Sequence, residues 1–256
     1  MSTQQPKSFN ILLIGDHCED VYQYGTVDRI SPEAPVPVFV PSTEQRQPGM
    51  AGNVCRNLEA LGCNVNYLHG KTSVKTRLID SRSKQQLVRI DQDVVSSPIR
   101  WSSEIPALYD AVVVSDYNKG TVDYQTIQEL QEEFPGPIFV DTKKTDLARL
   151  EGCIVKINEL EHSRLTTVCS QLIVTQGKHG AVYAGKRFAA GSVEVADVCG
   201  AGDTFLAALA FAYLEHDGDM ELAIAFAIEA ASITVQHIGC YAPSFKEVLE
   251  RCNDKT

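Results

Sequence analysis

The sequence predicts an α/β fold, a doubly wound domain on a mainly parallel sheet with a small β-flap projecting from it. Three observations predict it. Short apolar runs recur at 9–14, 111–114, 137–140, 153–157 and 172–175, each bounded by polar residues, as buried parallel strands are. Helical or loop segments separate them, the alternation of a βαβ architecture. Residues 22–41 break the rhythm. Their prolines, in Ser31-Pro32-Glu33-Ala34-Pro35-Val36-Pro37, exclude a helix and a central strand but suit edge strands of a flap within about 20–45.

Bulk properties narrow the function. The chain has 256 residues and 44% hydrophobic content, enough for one large domain spanning 1–256. Its formal charge of −10 argues against nucleic acid or an anionic membrane as a partner. The apolar run after the polar segment 1–8 is too short for a leader or a span. Eight cysteines form no C-x-x-C and have no histidine at zinc-ligand spacing, so reduced thiols in a cytoplasmic protein are expected.

The elements follow in order. The first strand ends at Gly15-Asp16, and ligands of open α/β sheets bind at such carboxyl ends, so Asp16 is either a ligand contact or a turn residue. Pro48-Gly49-Met50-Ala51-Gly52-Asn53 opens a helix to about Leu61, closed by Gly62. Asn53 offers both a donor and an acceptor, as sugar hydroxyls require. A strand at 65–68 follows. Gly70-Lys71-Thr72 resembles the end of a P-loop, but Val65 stands where that loop needs glycine. Segments 75–79 and 86–90 alternate as a hairpin, 122–134 is helical, and the strand tips Asp16, Asp116, Asp141 and Asn158 line one rim of the sheet. Helices are expected at 201–215 and 219–236, the second nearly all apolar, with a last one from Ser244.

The most informative stretch is Asp197-Val198-Cys199-Gly200-Ala201-Gly202-Asp203-Thr204-Phe205. Glycines before a helix bare its first N–H groups, and with the helix dipole they form an anion seat. A carboxylate in the same turn opposes that anion. The chemistry that reconciles them is phosphoryl transfer, with the amides on the phosphoryl group and Asp203 as base for the attacking hydroxyl. For a bare Gly-Ala-Gly-Asp the ordinary reading, a glycine turn with an aspartate that the helix dipole favours anyway, comes first; the full nine residues and what lies upstream reverse that.

Together these residues resemble the ribokinase-like carbohydrate kinases, whose fold is a three-layer α/β/α sandwich with a small β-flap, or lid. The closest likeness is to the kinase domain of the bifunctional heptose 7-phosphate kinase/heptose 1-phosphate adenylyltransferases. It is carried by Gly15-Asp16 with Tyr22-x-Tyr-Gly25, Arg29-Ile-Ser-Pro-Glu-Ala-Pro-Val-Pro-Val38, Pro48-Gly49 with Ala51 and Asn53, Ser115-Asp-Tyr-x-Lys-Gly120, Val140-Asp-x-Lys143, Asn158-x-x-Glu161 and 197–204.

The resemblance implies roles. Asp203 is the general base, and Gly200, Ala201 and Gly202 form the anion hole for the γ-phosphoryl group of ATP. Asp16, Gly49, Asn53 and Lys119 face the sugar, and Arg77 holds its phosphate. Thr175, Gly177 and Gly202, with Asn158, lie by the nucleotide. Glu161 and Asn158 organise Mg²⁺ through water, which suits an ion that keeps its waters. K⁺ near Asp197 and the 237–239 loop is a further family trait, as is a flap that closes over the sugar and often dimerises. The implied reaction phosphorylates a sugar phosphate, D-glycero-D-manno-heptose 7-phosphate, to the 1,7-bisphosphate. Alternatives are another sugar or nucleoside, or a non-catalytic sugar-phosphate-binding descendant.

Four departures stand out. Met50 occupies the place of a second glycine. A strand and a helix are missing between Leu68 and Lys75. Segment 178–193 is short, and Ile228 stands where asparagine is common near the adenine. No His-x-Gly-His motif of a nucleotidylyltransferase occurs.

Overall fold

The structure, a computed structural model, describes residues 7–101 and 108–253; most of the polar N-terminal segment lies outside them. Strand β1 (Asn10–Ile30) is the axis of the sheet. Around it run β2 (Pro37–Met50), β3 (Asn64–Asp80), β4 (Gln86–Gln92), β5 (Ala111–Asp116), β6 (Ile138–Thr142), β7 (Ile154–Asn158), β8 (Leu172–Thr175), β9 (Ala181–Tyr183) and β10 (Lys186–Phe188). The spatial order is β10-β9-β8-β7-β6-β5-β1-β3-β4, with β2 also paired to β1. The pairs β1–β3, β1–β5, β5–β6, β6–β7 and β7–β8 are parallel, whereas β2, β4, β9 and β10 pair antiparallel.

Alternation along the strands explains the layers. Ile11, Leu13, Ala111 and Val113 face one side, where helices α1 (Ala51–Ala60), α4 (Ala201–Glu215), α5 (Met220–Thr234) and α6 (Phe245–Asn253) bury Leu58, Leu206, Phe211 and Val248. Leu12, Ile14, Val112 and Val114 face the other, with α2 (Tyr124–Glu133) and the 3-10 turn Leu147–Leu150. Period-2 strands covered on both faces by helices make the expected three layers.

The flap differs from the expected local appendage at 20–45. β1 pairs with β5 only from Ile11 to Gly15, then continues past the sheet and pairs with β2 from His17 to Ile30. β3 follows it, running unbroken from Asn64 through Gly70 to Asp80 where only a short strand at 65–68 was expected. The strand and helix missing between Leu68 and Lys75 are thus replaced by direct continuation of the sheet strand into the flap. The expected hairpin of 75–79 with 86–90 is present as β3–β4.

Gly15 marks the place where β1 leaves β5. A Cβ there would lie 2.3 Å from the Ser115 carbonyl oxygen and 2.7 Å from Ala51 Cβ, so the close approach of β1, β5 and α1 requires glycine. The chain passes from β1 to β3 on one side and later to β5 on the other. This is the topological switch point at which open α/β sheets form their ligand crevice.

Candidate active site

Asp203 lies in the first turn of α4, whose N-cap, Gly200, has φ 77°. That left-handed conformation suits glycine, and added bulk is barred, since a Cβ would come within 2.7 Å of Asn53 Nδ2. The opening N–H groups of a helix have no acceptor within the helix itself; here the Ala201 N–H donates to the Val198 carbonyl at 3.4 Å. Asp203 is buried. Its Oδ2 accepts from Asn53 Nδ2 at 2.9 Å and its Oδ1 from the Tyr117 hydroxyl at 2.7 Å. Burial raises the carboxyl above the usual range; the Asn53 and Tyr117 hydrogen bonds pull it down, Asp141 pushes it up and Lys156 lowers it. A raised carboxylate is a better proton acceptor than an ordinary one.

A polar network fixes Asn53 against Asp203. Asn57 Nδ2 donates to the Asn53 carbonyl at 2.8 Å, Thr204 Oγ1 donates to Asn57 Oδ1 at 2.8 Å, and Thr234 Oγ1 donates to Thr204 Oγ1 at 3.0 Å. Helices α1, α4 and α5 are thereby cross-linked beneath the site. Among the described residues the buried Asn53 Oδ1 has no partner, an acceptor in need of a donor.

Asp16 is fully engaged. Its Oδ2 accepts the N–H groups of Tyr117 (2.8 Å) and Lys119 (2.9 Å), and its Oδ1 that of Thr121 (3.1 Å). The strand tip organises the loop after β5, and through it Tyr117. Lys119 Nζ bonds Asp93 Oδ2 at 2.5 Å. Arg77 bonds Asp20 Oδ1 at 2.5 Å and lies 5.1 Å over the Tyr22 ring, within the flap. Gly49 sits opposite Cys18 across β1–β2, where a Cβ would be 2.2 Å from Asp20 Oδ2. Met50, next to it, takes φ 53° and ψ −131° at the N-cap of α1. That is a backbone favoured by glycine, and it costs a residue with a Cβ on the order of 1–3 kcal/mol.

Asn158 and Glu161 form a capping box at the four-residue helix α3 (Glu159–His162). The Asn158 N–H donates to Glu161 Oε2 at 2.8 Å and the Glu161 N–H to Asn158 Oδ1 at 2.9 Å. Glu161 Oε1 also takes the Lys143 ammonium. Burial would lower Lys143, but Asp141, Glu161 and Asp203 outweigh it and the net shift is upward. Among the described residues no three His, Cys, Asp or Glu side chains could hold a metal ion between them. The pair offers oxygen donors alone, which fits a hard ion bound mainly through its own waters.

The other strand tips pair internally. Lys156 Nζ bonds Asp141 Oδ2 at 2.6 Å and the Gly202 carbonyl at 3.2 Å, both side chains buried. Lys144 bonds Asp116 Oδ2 at 2.7 Å. On the far side of the Gly200 turn lies a cavity of about 680 Å³ with mainly apolar walls. Thr175, Gly177, Gly202 and Ile228 line it. Asn158 is not on its wall.

The residues brought together are therefore Asn53, Asp203 and Gly200 to Gly202, with Thr175 and Gly177 across the cavity. Tyr117 and Asp20 were not anticipated. Tyr117 belongs to the Ser115-Asp-Tyr-x-Lys-Gly120 motif, but only the fold brings its hydroxyl to Asp203, 86 positions away.

Residues 129–247 match the family described as pfkB family carbohydrate kinase. The bifunctional protein HldE of Hydrogenovibrio crunogenus is 31% identical over 95% of this chain and 62% of its own length. That of Campylobacter concisus is 32% identical over 96% of this chain and 65% of its own. The chain thus spans just under two thirds of these relatives. Phosphofructokinase-2 of Escherichia coli, in a structure described as a complex with potassium, has the same fold at TM-score 0.73, with 15% identity over 97% of this chain and 99% of that one. The nucleoside kinase of Methanocaldococcus jannaschii shares it at TM-score 0.69, with 17% identity over 97% and 99%. The chain thus carries a match to the pfkB family of carbohydrate kinases over residues 129–247, within a fold that nearly its whole length shares with these solved structures.

Proposed function

We propose that the protein is an ATP-dependent sugar kinase that transfers the γ-phosphoryl group to a hydroxyl of a sugar phosphate, D-glycero-D-manno-heptose 7-phosphate, giving the 1,7-bisphosphate. The observation that carries the reading is the position of Asp203, between a buried unpartnered acceptor, Asn53 Oδ1, on one side and the Gly200 turn with its cavity on the other. The acceptor hydroxyl binds beside Asn53, and Asp203 takes its proton. The amides of Gly200, Ala201 and Gly202 hold the phosphoryl charge as it develops. The cavity along Thr175, Gly177 and Ile228 takes the nucleoside, for which its apolar walls and volume are suited. Little covalent work is left to the protein, and positioning supplies most of the acceleration.

Asn158 and Glu161 are the residues for Mg²⁺, whose chemistry is to neutralise phosphate charge during transfer. The segment 237–239 beside Asp197 is the place for K⁺. Gly49, with Asp20 and Arg77, bounds the acceptor side, and Arg77 takes the acceptor's own phosphate. In this reading residues 1–256 are one kinase domain working on small molecules in the cytoplasm. The flap exposes Ile30, Val36, Val40, Val88 and Ile90, an apolar surface that supports a homodimer formed through it.

Met50 favours a second reading, kinase action on another sugar or a nucleoside, because a buried side chain stands beside Gly49. An ATPase-coupled screen over sugars, sugar phosphates and nucleosides, with Mg²⁺ and with or without K⁺, separates the two. The first reading expects turnover with heptose 7-phosphate at least about tenfold above any unphosphorylated sugar. Equal turnover with unphosphorylated acceptors contradicts the phosphate role of Arg77. Acceptor binding with no ATP turnover favours a binding protein.

A further inference from the structure

Two thiols meet beside the Gly200 turn and have no part in the chemistry above. Cys199 Sγ and Cys240 Sγ lie 3.0 Å apart. Cys199 immediately precedes Gly200, and Cys240 lies between α5 and α6. Backbone contacts hold them together. Asp197 Oδ1 accepts the N–H of Cys199 at 3.0 Å, and its Oδ2 accepts that of Gly239, also at 3.0 Å. One carboxylate therefore clamps the first cysteine and the neighbour of the second. Cys240 also presses on the turn itself, since a Cβ on Gly200 would lie 3.2 Å from its sulfur and 3.3 Å from its Cβ. Both residues are half-buried, whereas Cys18, Cys63, Cys153 and Cys169 are buried. A disulfide needs its sulfurs about 2.05 Å apart, so the two must close by roughly 1 Å, a shift that loop residues can accommodate.

We propose that Cys199 and Cys240 form a redox modification site, at which a hydroperoxide joins the two thiols into an intramolecular disulfide and arrests the phosphoryl-binding turn. With hydrogen peroxide, one thiol gives up its proton and attacks an oxygen. The O–O bond breaks, leaving a sulfenic acid and, with that proton, water. The second thiol attacks the sulfenic sulfur, the S–O bond breaks, and the departing hydroxide takes the second thiol's proton as water. Two thiols lose two electrons in all, and the peroxide becomes two waters. The new bond ties the residue before Gly200 to the 239–241 segment, so the turn can no longer adjust to the phosphoryl group. A dithiol reductant reverses it by exchange. The arrest rests on the reading of Gly200 to Gly202 as the anion hole; the disulfide does not.

The test treats the reduced full chain with hydrogen peroxide, alkylates it and maps its peptides without reductant, alongside kinase turnover and amide hydrogen exchange of residues 198–204. The proposal expects a Cys199–Cys240 cross-linked peptide, loss of two free thiols, and exchange in 198–204 slowed by roughly tenfold. Turnover falls by about tenfold or more and returns with dithiothreitol. Cys240→Ser, with starting turnover within about twofold of wild type, gives no cross-link and keeps its turnover under peroxide; Cys199→Ser likewise gives no cross-link. Absence of the peptide while Cys55 or Cys252 is oxidised overturns the site. A cross-link that leaves exchange and turnover unchanged overturns the arrest. If no acceptor is phosphorylated even by reduced protein, the kinase reading fails, while the peptide map and the exchange still decide this one.

Discussion

The Tyr117 hydroxyl donates to Asp203 Oδ1 at 2.7 Å, and the Tyr117 N–H donates to Asp16 Oδ2 at 2.8 Å. Asp16 thus acts on the candidate base through the loop it holds. The donor matters because burial pushes the Asp203 carboxyl up and the Tyr117 hydrogen bond opposes that push. Tyr117→Phe removes the opposing contact, so the carboxyl rises further. The acid limb of kcat/KM, where the base is lost to protonation, moves to higher pH, and turnover at alkaline pH falls less than about tenfold. Coincident pH profiles of variant and wild type would contradict this link.

Asp16→Asn keeps the shape of the strand tip but removes the charge that takes three N–H groups from residues 117, 119 and 121. Hydrogen bonds to charged groups contribute about 1.5–3 kcal/mol each, and an amide retains one accepting oxygen. We expect a stability loss of about 2–4 kcal/mol in denaturant unfolding, with kcat reduced because Tyr117 loses its anchor. Unchanged stability with only KM raised would instead mark Asp16 as a direct sugar ligand.

Gly15→Ala puts a methyl 2.3 Å from a backbone carbonyl that cannot move without parting β1 from β5. Overpacking of this kind costs about 1–3 kcal/mol. The expected result is a lower melting temperature by several degrees, measured by calorimetry, on the scale of roughly 2–4 °C per kcal/mol for a domain of this size.

Lys156 and Asp141 form a buried pair beneath Gly202, and among the described residues Asp141 Oδ1 has no partner. Lys156→Met strands the carboxylate and is expected to destabilise by about 3–5 kcal/mol. Adding Asp141→Leu removes the stranded charge, so the double variant recovers most of that loss. A double variant as unstable as the single one would show that packing, not the unpaired charge, sets the cost.

The layers were legible because buried strands and helices leave strong patterns: runs of Val and Ile at 111–114, and almost unbroken apolar helices at 201–215 and 220–234. The flap was less so. Polar residues beyond Asp16 look like a loop, and nothing local says that β1 continues to Ile30, because pairing with β2 and β3 supplies the order. The β9–β10 hairpin was missed although Ala184 and Gly185, with φ 47° and 78°, form a two-residue turn of the kind its spacing allows. Glycine positions and Asp203 could be read from residue type alone. The partners of Asp16, Lys119 and Asp141 could not, since each lies in a segment distant in the chain. Tyr117 lies within the Ser115-Asp-Tyr-x-Lys-Gly120 motif, but its contact with Asp203 exists only in three dimensions.

The proposed role of Asp203, removal of the proton from the accepting hydroxyl, is probed by Asp203→Asn. The variant keeps an acceptor for Asn53 and a group for Tyr117. Because burial raises the Asp203 carboxyl in the folded protein, its charge costs stability increasingly as pH rises through that value. The variant should therefore unfold at or above the wild-type midpoint at neutral pH, so lost turnover will not be lost folding. Steady-state transfer from ATP to the best acceptor should fall by about 10²–10⁴-fold in kcat, with KM for ATP within a few-fold of wild type. Turnover near wild type in a folded Asp203→Asn protein would contradict the assignment.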